Sequence, residues 1–304
     1  MTLSRSPDAA AGLVLPARAQ LGECPIWNAS DQRLYWVDID GEAVHRFDPA
    51  TGSDETLAVP GRPGSIALTG TDGRLLVAIE GRLGIVDWGE REGEWRDWVE
   101  IEAEAGNRFN DGRCDAAGRF WVGSMFAQSA DRRASGSLYR VEADGTPTRM
   151  RTDIGVPNAL AFSPDGRTMY WADTHRDMVW AYDYDIDDGV PTRERVFLDF
   201  ADLPGRPDGA CVDEDGGYWI ACVYGSAVLR ATPDGVVDRL ISVPVAKPTM
   251  PAFGGADRST LYITTIGGGG SHALDPSPEA GGLFAIETDR RGIAEWTFAG
   301  PVEA

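Results

Sequence analysis

The residues of this chain best suited to chemistry are oxygen donors that recur at one position of a long repeat. Compared copy by copy, that position reads Glu23, Gly64, Asn110, Asn158, Asp208 and Met250, so four of the six carry a side-chain oxygen. Three of them lie within two residues of a proline, as in Glu23-Cys24-Pro25, Pro157-Asn158 and Pro207-Asp208, which suits a strand entrance where the chain does not yet pair. Converging Glu, Asn and Asp oxygens with no His or Cys among them suit a hard divalent cation, calcium, magnesium or manganese; zinc is a less natural guest. Three protein ligands leave room for water and substrate. Cys24 is not expected to be a ligand, because strand neighbours point to opposite faces. His45, His175 and His272 share no repeat position, so imidazole chemistry is not expected either. The competing expectation is structural: a channel lined by polar residues bound to water, with Asn and Asp chosen for backbone geometry.

Such residues need a scaffold that brings six copies to one axis. A short apolar strand recurs as Tyr35-Trp36-Val37, Leu75-Leu76-Val77, Phe120-Trp121-Val122, Tyr170-Trp171-Ala172, Tyr218-Trp219-Ile220 and Leu261-Tyr262-Ile263. Their first residues lie 40, 45, 50, 48 and 43 apart, a period that suits a four-stranded propeller blade and is too long for leucine-rich or ankyrin repeats. Segments such as Gly136–Val141 and Ala227–Arg230 read as third strands of blades, and Asp-Gly pairs at 72–73, 144–145, 165–166, 215–216 and 234–235 are hairpin signals. The expected fold is therefore all-β: one six-bladed β-propeller domain over residues 1–304, with the blades from about residue 13 and a short N-terminal extension before them. Trp27, Trp36, Trp121, Trp171 and Trp219 are expected between blades, and Asp115 and Asp165 in turns.

Composition narrows the partners. A net charge of -20, with Lys247 the only lysine and no basic run, argues against nucleic acid, whose phosphates require a basic patch. No stretch approaches the twenty apolar residues of a membrane span, and residues 1–20 lack an apolar run after a basic start, so a cytoplasmic protein without a secretory leader is expected. Cys24, Cys114, Cys211 and Cys222 fit no metal-knuckle spacing and are expected as free thiols. A closed ring has its edges paired, so a monomer is the expected state.

Four motifs in order then carry a resemblance over nearly the whole chain: Leu21-Gly22-Glu23-Cys24-Pro25-Ile26-Trp27; Arg108-Phe109-Asn110-Asp111-Gly112-Arg113 followed by Asp115–Arg119; Pro157–Gly166; and Pro207-Asp208-Gly209. Together they resemble the regucalcin, senescence-marker-protein or gluconolactonase family. The resemblance implies a six-bladed propeller that hydrolyses sugar lactones with one bound divalent metal, be it calcium, magnesium, manganese, zinc or ferrous iron. By it Glu23, Asn158 and Asp208 match metal ligands, while Arg108, Asn110 and Asp111 match residues that contact substrate or metal-bound water. The chain departs from the pattern at Cys24, where a small residue is usual, and at Gln128, where some members carry an acidic residue near the substrate. Gln128 falls in segment 125–135, which reads as a loop able to cover the mouth.

Residue chemistry supplies a reason for each assignment. A bound cation polarises a lactone carbonyl and stabilises the charge that develops when water attacks. Asp208, kept ionised beside the cation, is the expected general base. Arg108 shares a face with Asn110 and can hold sugar hydroxyls, unless it pairs with a surface carboxylate instead. Asn110 could donate to the carbonyl or orient the water. Two other functions remain compatible with these residues, a phosphotriesterase-like esterase on the same fold and a non-catalytic calcium-binding propeller.

Overall fold

The apolar runs that recur in the sequence are the second strands of six four-stranded antiparallel sheets: Arg33–Asp38, Arg74–Ile79, Phe120–Phe126, Thr168–Asp173, Tyr218–Val223 and Thr260–Thr265. They are buried along almost their whole length because neighbouring sheets cover both faces, which is why these runs show no alternation. Outermost strands such as Val190–Asp199 are largely exposed. Across residues 9–88 and 95–300, which the computed structural model describes, the sheets form a six-bladed β-propeller. No helix among the described residues is long and apolar enough to cross a membrane.

Tryptophans fill the spaces between blades. Trp36, Trp121 and Trp219 are fully buried, and Trp27 of the first blade stacks on Tyr262 of the sixth. Asp115 does more than shape a turn: it is fully buried, accepts from the Ala117 and Arg119 amides and from Arg119 Nε, and receives the Tyr184 hydroxyl of the next blade. The four cysteines are buried and free.

The ring closes where the blades are expected to begin, at the end of the short extension. Gly12–Leu15 pairs with Leu283–Glu287 and is the outer strand of the sixth blade, whose inner strands come from the opposite end of the chain. Residues 1–8 of that extension lie outside the described residues. At one end of the channel the Asp-Gly turns all have glycine in the left-handed region, as at Gly73 (φ 71°) and Gly145 (φ 87°). Residues 288–300 run across that same end: Gly292 bridges to Asp213, Trp296 packs on Phe162 and Phe298 bridges to Thr69. With Glu295 on Arg113 and the Thr288 and Gly292 amides on Ser259 and Arg258, this strap touches the second to the sixth blades.

Candidate active site

The six compared positions sit where the innermost strands begin, on Gly22–Asn28, Pro63–Leu68, Asn107–Cys114, Pro157–Phe162, Arg206–Val212 and Pro248–Gly254. In every blade the pairing of this strand with its neighbour breaks register there, between Glu23 and Ile26, Pro63 and Ser65, Phe109 and Gly112, Asn158 and Ala161, Pro207 and Ala210, and Pro248 and Met250. A bulge re-aims side chains that a regular ladder would alternate. Cys24 (φ 46°) and Ala159 (φ 60°), each following a candidate ligand, adopt the left-handed conformation that the bulge demands. The Cys24 thiol accordingly lies against Ile66 of the second blade, away from the channel.

A chain of hydrogen bonds fixes the polar groups at the mouth. Arg108 Nη1 donates to Asn110 Oδ1 (2.8 Å); Asn110 Nδ2 donates to Asn158 Oδ1 (2.8 Å) and to the Pro157 carbonyl (2.9 Å). Asn158 Nδ2 donates to Thr174 Oγ1 (2.8 Å), whose hydroxyl donates to the Pro207 carbonyl (2.8 Å). A guanidinium only donates, so its bond to Asn110 dictates which way both amides face. Asn158 therefore presents its oxygen to Asn110 of the third blade and keeps one lone pair. Both Asn110 hydrogens are engaged, so donation from Asn110 to a substrate carbonyl would break one of these bonds, one of which orients Asn158. Arg108 is buried and has no carboxylate within ion-pair distance among the described residues, and its buried Nε has no partner. It is not a surface ion-pair residue.

Charge is the site's dominant feature. Burial, then the Asp111 charge, pushes Glu23 up to about 8, against the opposing Cys24 amide and Arg108. Burial, then Glu23 and Asp111, holds Asp208 well above the usual carboxylate range. Burial also lowers Arg108, to about 10, and it stays charged at neutral pH. Two buried carboxylates that resist ionising together are the donors that a cation would relieve. Among the described residues no group of three or more His, Cys, Asp or Glu could hold an ion; a cation between Glu23 and Asp208 would call on a neutral oxygen, and Asn158 lines the same cavity. Two carboxylates and a carboxamide fit a hard divalent cation.

Glu23, Arg108, Asn110, Asn158 and Asp208 all line one cavity of about 360 Å³ at the mouth, at the lower end of the range for small-molecule pockets, about 300–1,000 Å³. Asp111 does not line it. Its Oδ2 accepts from the Leu160 amide, its Oδ1 is buried without a partner, and burial raises it to about 6. Gln128 is exposed and lines an adjoining cleft with Asp40, Arg62 and Ser271. Ala130 and Arg132, from the segment expected to cover the mouth, do reach the cavity. The sequence reading missed Thr174, His175, Arg206, Tyr224 and His272, which also line it. Apart from Arg206, these follow second strands of their blades; the rule that such loops face the mouth would have found them. His45 instead stacks on Trp36 and bonds Asp54, far from the channel mouth.

Comparison with known proteins agrees with the fold. The family described as SMP-30/Gluconolactonase/LRE-like region matches residues 21–267. A 6-deoxy-6-sulfogluconolactonase of Pseudomonas putida is 42% identical over 92% of this chain and 95% of its own length. An L-arabinolactonase of Azospirillum brasilense is 38% identical over 97% of each. Among solved structures, the calcium-binding protein regucalcin of Agrobacterium tumefaciens is similar with a TM-score of 0.88 and 30% identity, covering 95% of this chain and 97% of that one.

Proposed function

The chain belongs to the SMP-30/gluconolactonase/LRE-like family, and from that premise we propose that it hydrolyses sugar lactones to aldonic acids in the mouth cavity, with one divalent cation held by Glu23, the Asn158 oxygen and Asp208. The observation that carries the reading is the meeting of two ionisation-resistant carboxylates with an oriented carboxamide oxygen in one small-molecule cavity. The relatives' names support lactone hydrolysis; the donor chemistry supports the cation.

When bound, the cation would supply a Lewis acid that polarises the lactone carbonyl and restores the ionised carboxylates. Asp208, ionised, takes a proton from the water that attacks the carbonyl carbon. As the ring C–O bond breaks, that proton passes to the departing ring oxygen, leaving a hydroxyl and a carboxylic acid. Arg108 lines the cavity with its Nη1 held by Asn110 Oδ1, and the part of its fork that faces the cavity meets the sugar hydroxyls and holds the ring in register. Asn110 positions Asn158 and Arg108. Asp111, beneath the cavity, tunes the site by its charge rather than by contact. Gln128 can meet only a part of the substrate that extends past the rim.

Acid release from a panel of aldonolactones tests this, using chelator-stripped protein with calcium, magnesium, manganese, zinc or ferrous iron returned singly. One or more lactones should turn over above the spontaneous rate with a restoring metal, and Asp208→Asn should lower kcat by about 10²–10⁴ with the fold retained. Folded protein that turns over no lactone with any metal overturns the proposal.

A further inference from the structure

In a chain of net charge -20, the mouth cavity is lined by three arginines, Arg108, Arg132 and Arg206, and by two histidines, yet by only two carboxylates, Glu23 and Asp208. Those two carboxylates are the proposed cation ligands, so with the cation in place the lining is net positive. The basic groups are also distributed. Arg108 lies on the innermost strand of the third blade, at the floor. Arg132 comes from the loop after the second strand of the third blade, His175 from the same loop of the fourth, and Arg206 from the entrance of the fifth. Three consecutive blades thus build an arc on one side of the rim, above Asn158.

The arc is held but not neutralised. Arg132 Nη2 donates to the His175 carbonyl (2.6 Å), which anchors the guanidinium to the fourth blade, and no carboxylate lies within ion-pair distance of it among the described residues. Among the described residues Arg206 has an ion pair only with Asp177, at 3.4 Å through one oxygen, with both side chains more than a third exposed. Such a pair contributes little and yields readily to a better partner. His175 completes the arc as a neutral ring: burial, then Arg132, holds it below its ordinary range, Arg206 acts in the same direction, and its Nδ1 is buried without a partner. Two permanent guanidinium forks free of a strong carboxylate partner are the donors that grip a tetrahedral or planar oxyanion. On the floor the same oxyanion would meet Glu23 and Asp208.

We propose that this arc makes the enzyme selective for lactones that carry an anionic substituent, a phosphate, sulfonate or carboxylate, on the end remote from the ring carbonyl. The inference rests on the lactonase reading for the floor of the site and adds the rim. With the carbonyl at Glu23, Asn158 and Asp208 and the ring hydroxyls at Arg108, the remote end of the substrate points to Arg132 and Arg206. Neither arginine touches the reacting atoms. They are specificity-determining residues.

The test compares one six-carbon aldonolactone with a free terminal hydroxyl against the same lactone bearing a terminal phosphate, sulfonate or carboxylate. Wild-type enzyme should favour at least one charged form by about tenfold or more in kcat/KM, mainly through KM, and added salt should erode the advantage. Arg132→Gln and Arg206→Gln should each reduce the charged-to-neutral ratio by about tenfold. The three substituents show which oxyanion the arc prefers. Equal kcat/KM for charged and neutral lactones, or arginine variants that leave the ratio unchanged, overturns the proposal. Calorimetric binding of a neutral alditol and its terminal phosphate and sulfonate keeps the two readings apart. If no lactone turns over, the lactonase reading fails, and the arc fails with it only if the charged alditols bind no tighter than the neutral one.

Discussion

Stripping the cation should make the fold lose stability as pH rises, and Glu23→Gln should remove much of that loss. With only the protein's own groups around it, Glu23 is raised from 4.5 to about 8 by burial and by the Asp111 charge. Between those values the folded state keeps a proton that the unfolded state has released, so the folded state binds more protons and stability falls with rising pH across that window. The displacement corresponds to at most roughly 5 kcal/mol. In a chain of this size each kcal/mol moves Tm by about 2 °C, so the ceiling is a drop of about 10 °C. Asp208 titrates in the same direction from the same cause, and Gln at 23 removes one of the charges that raises it. The histidines at the mouth act oppositely: burial keeps His175 and His272 below their ordinary range, so their contribution grows as pH rises through that range. Comparing wild type with the variant cancels them. Calorimetric melting in chelator at about pH 5 and about pH 9 gives the measurement. A wild-type Tm that falls no more steeply than that of Glu23→Gln would refute the reasoning, as would calcium addition that fails to flatten the wild-type curve.

Two further outcomes follow from groups around the site. Arg113 donates to both Glu295 oxygens (2.6 and 2.8 Å) and to the Leu160 and Ala210 carbonyls, so Arg113→Met should cost about 3–5 kcal/mol in urea unfolding by stranding Glu295. Arg113→Met/Glu295→Leu should recover a large part of that cost. Asn110→Ala cuts the hydrogen-bond chain without touching a ligand, and calorimetric cation affinity should fall by about 10–100-fold. An unchanged affinity would mean that the Asn158 orientation is set elsewhere.

What the sequence made legible is what the repeat transmits. The second strands announce themselves because two-sided burial makes them continuous apolar runs, and the position of Glu23, Asn158 and Asp208 could be compared because each blade breaks register at its inner entrance. The mouth loops have no such period. Residues 127–135 and 266–282 connect equivalent strands with very different lengths, so Arg132 and His272 fall at no shared offset although both line the cavity. Gly12–Leu15 is four residues long and amphipathic, and nothing local says that it completes the last blade rather than the first until its partner strand, at the other end of the chain, is known. The strap over residues 288–300 is held by an ion pair 182 residues apart in sequence, and no local pattern encodes that contact.

The buried charges along the channel explain why a single divalent cation suits this interior. Glu23, Asp208 and Arg108 stand at the mouth, Asp111 beneath them, and Arg113 with Glu295 at the strapped end. Four carboxylates against two guanidiniums leave an excess of two negative charges. A low-dielectric interior has two ways to remove that excess: bind two protons, or bind one divalent cation. The first is visible in the raised Glu23 and Asp208. Exchange between the two states means that cation binding at neutral pH should expel protons, approaching about two per cation. A pH-stat titration of stripped protein with calcium measures this directly, and Glu23→Gln, which carries no proton to lose, should release about one fewer. Release of no protons on saturable binding would place the cation away from Glu23 and Asp208, because their burial leaves no route to neutrality that does not involve one exchange or the other.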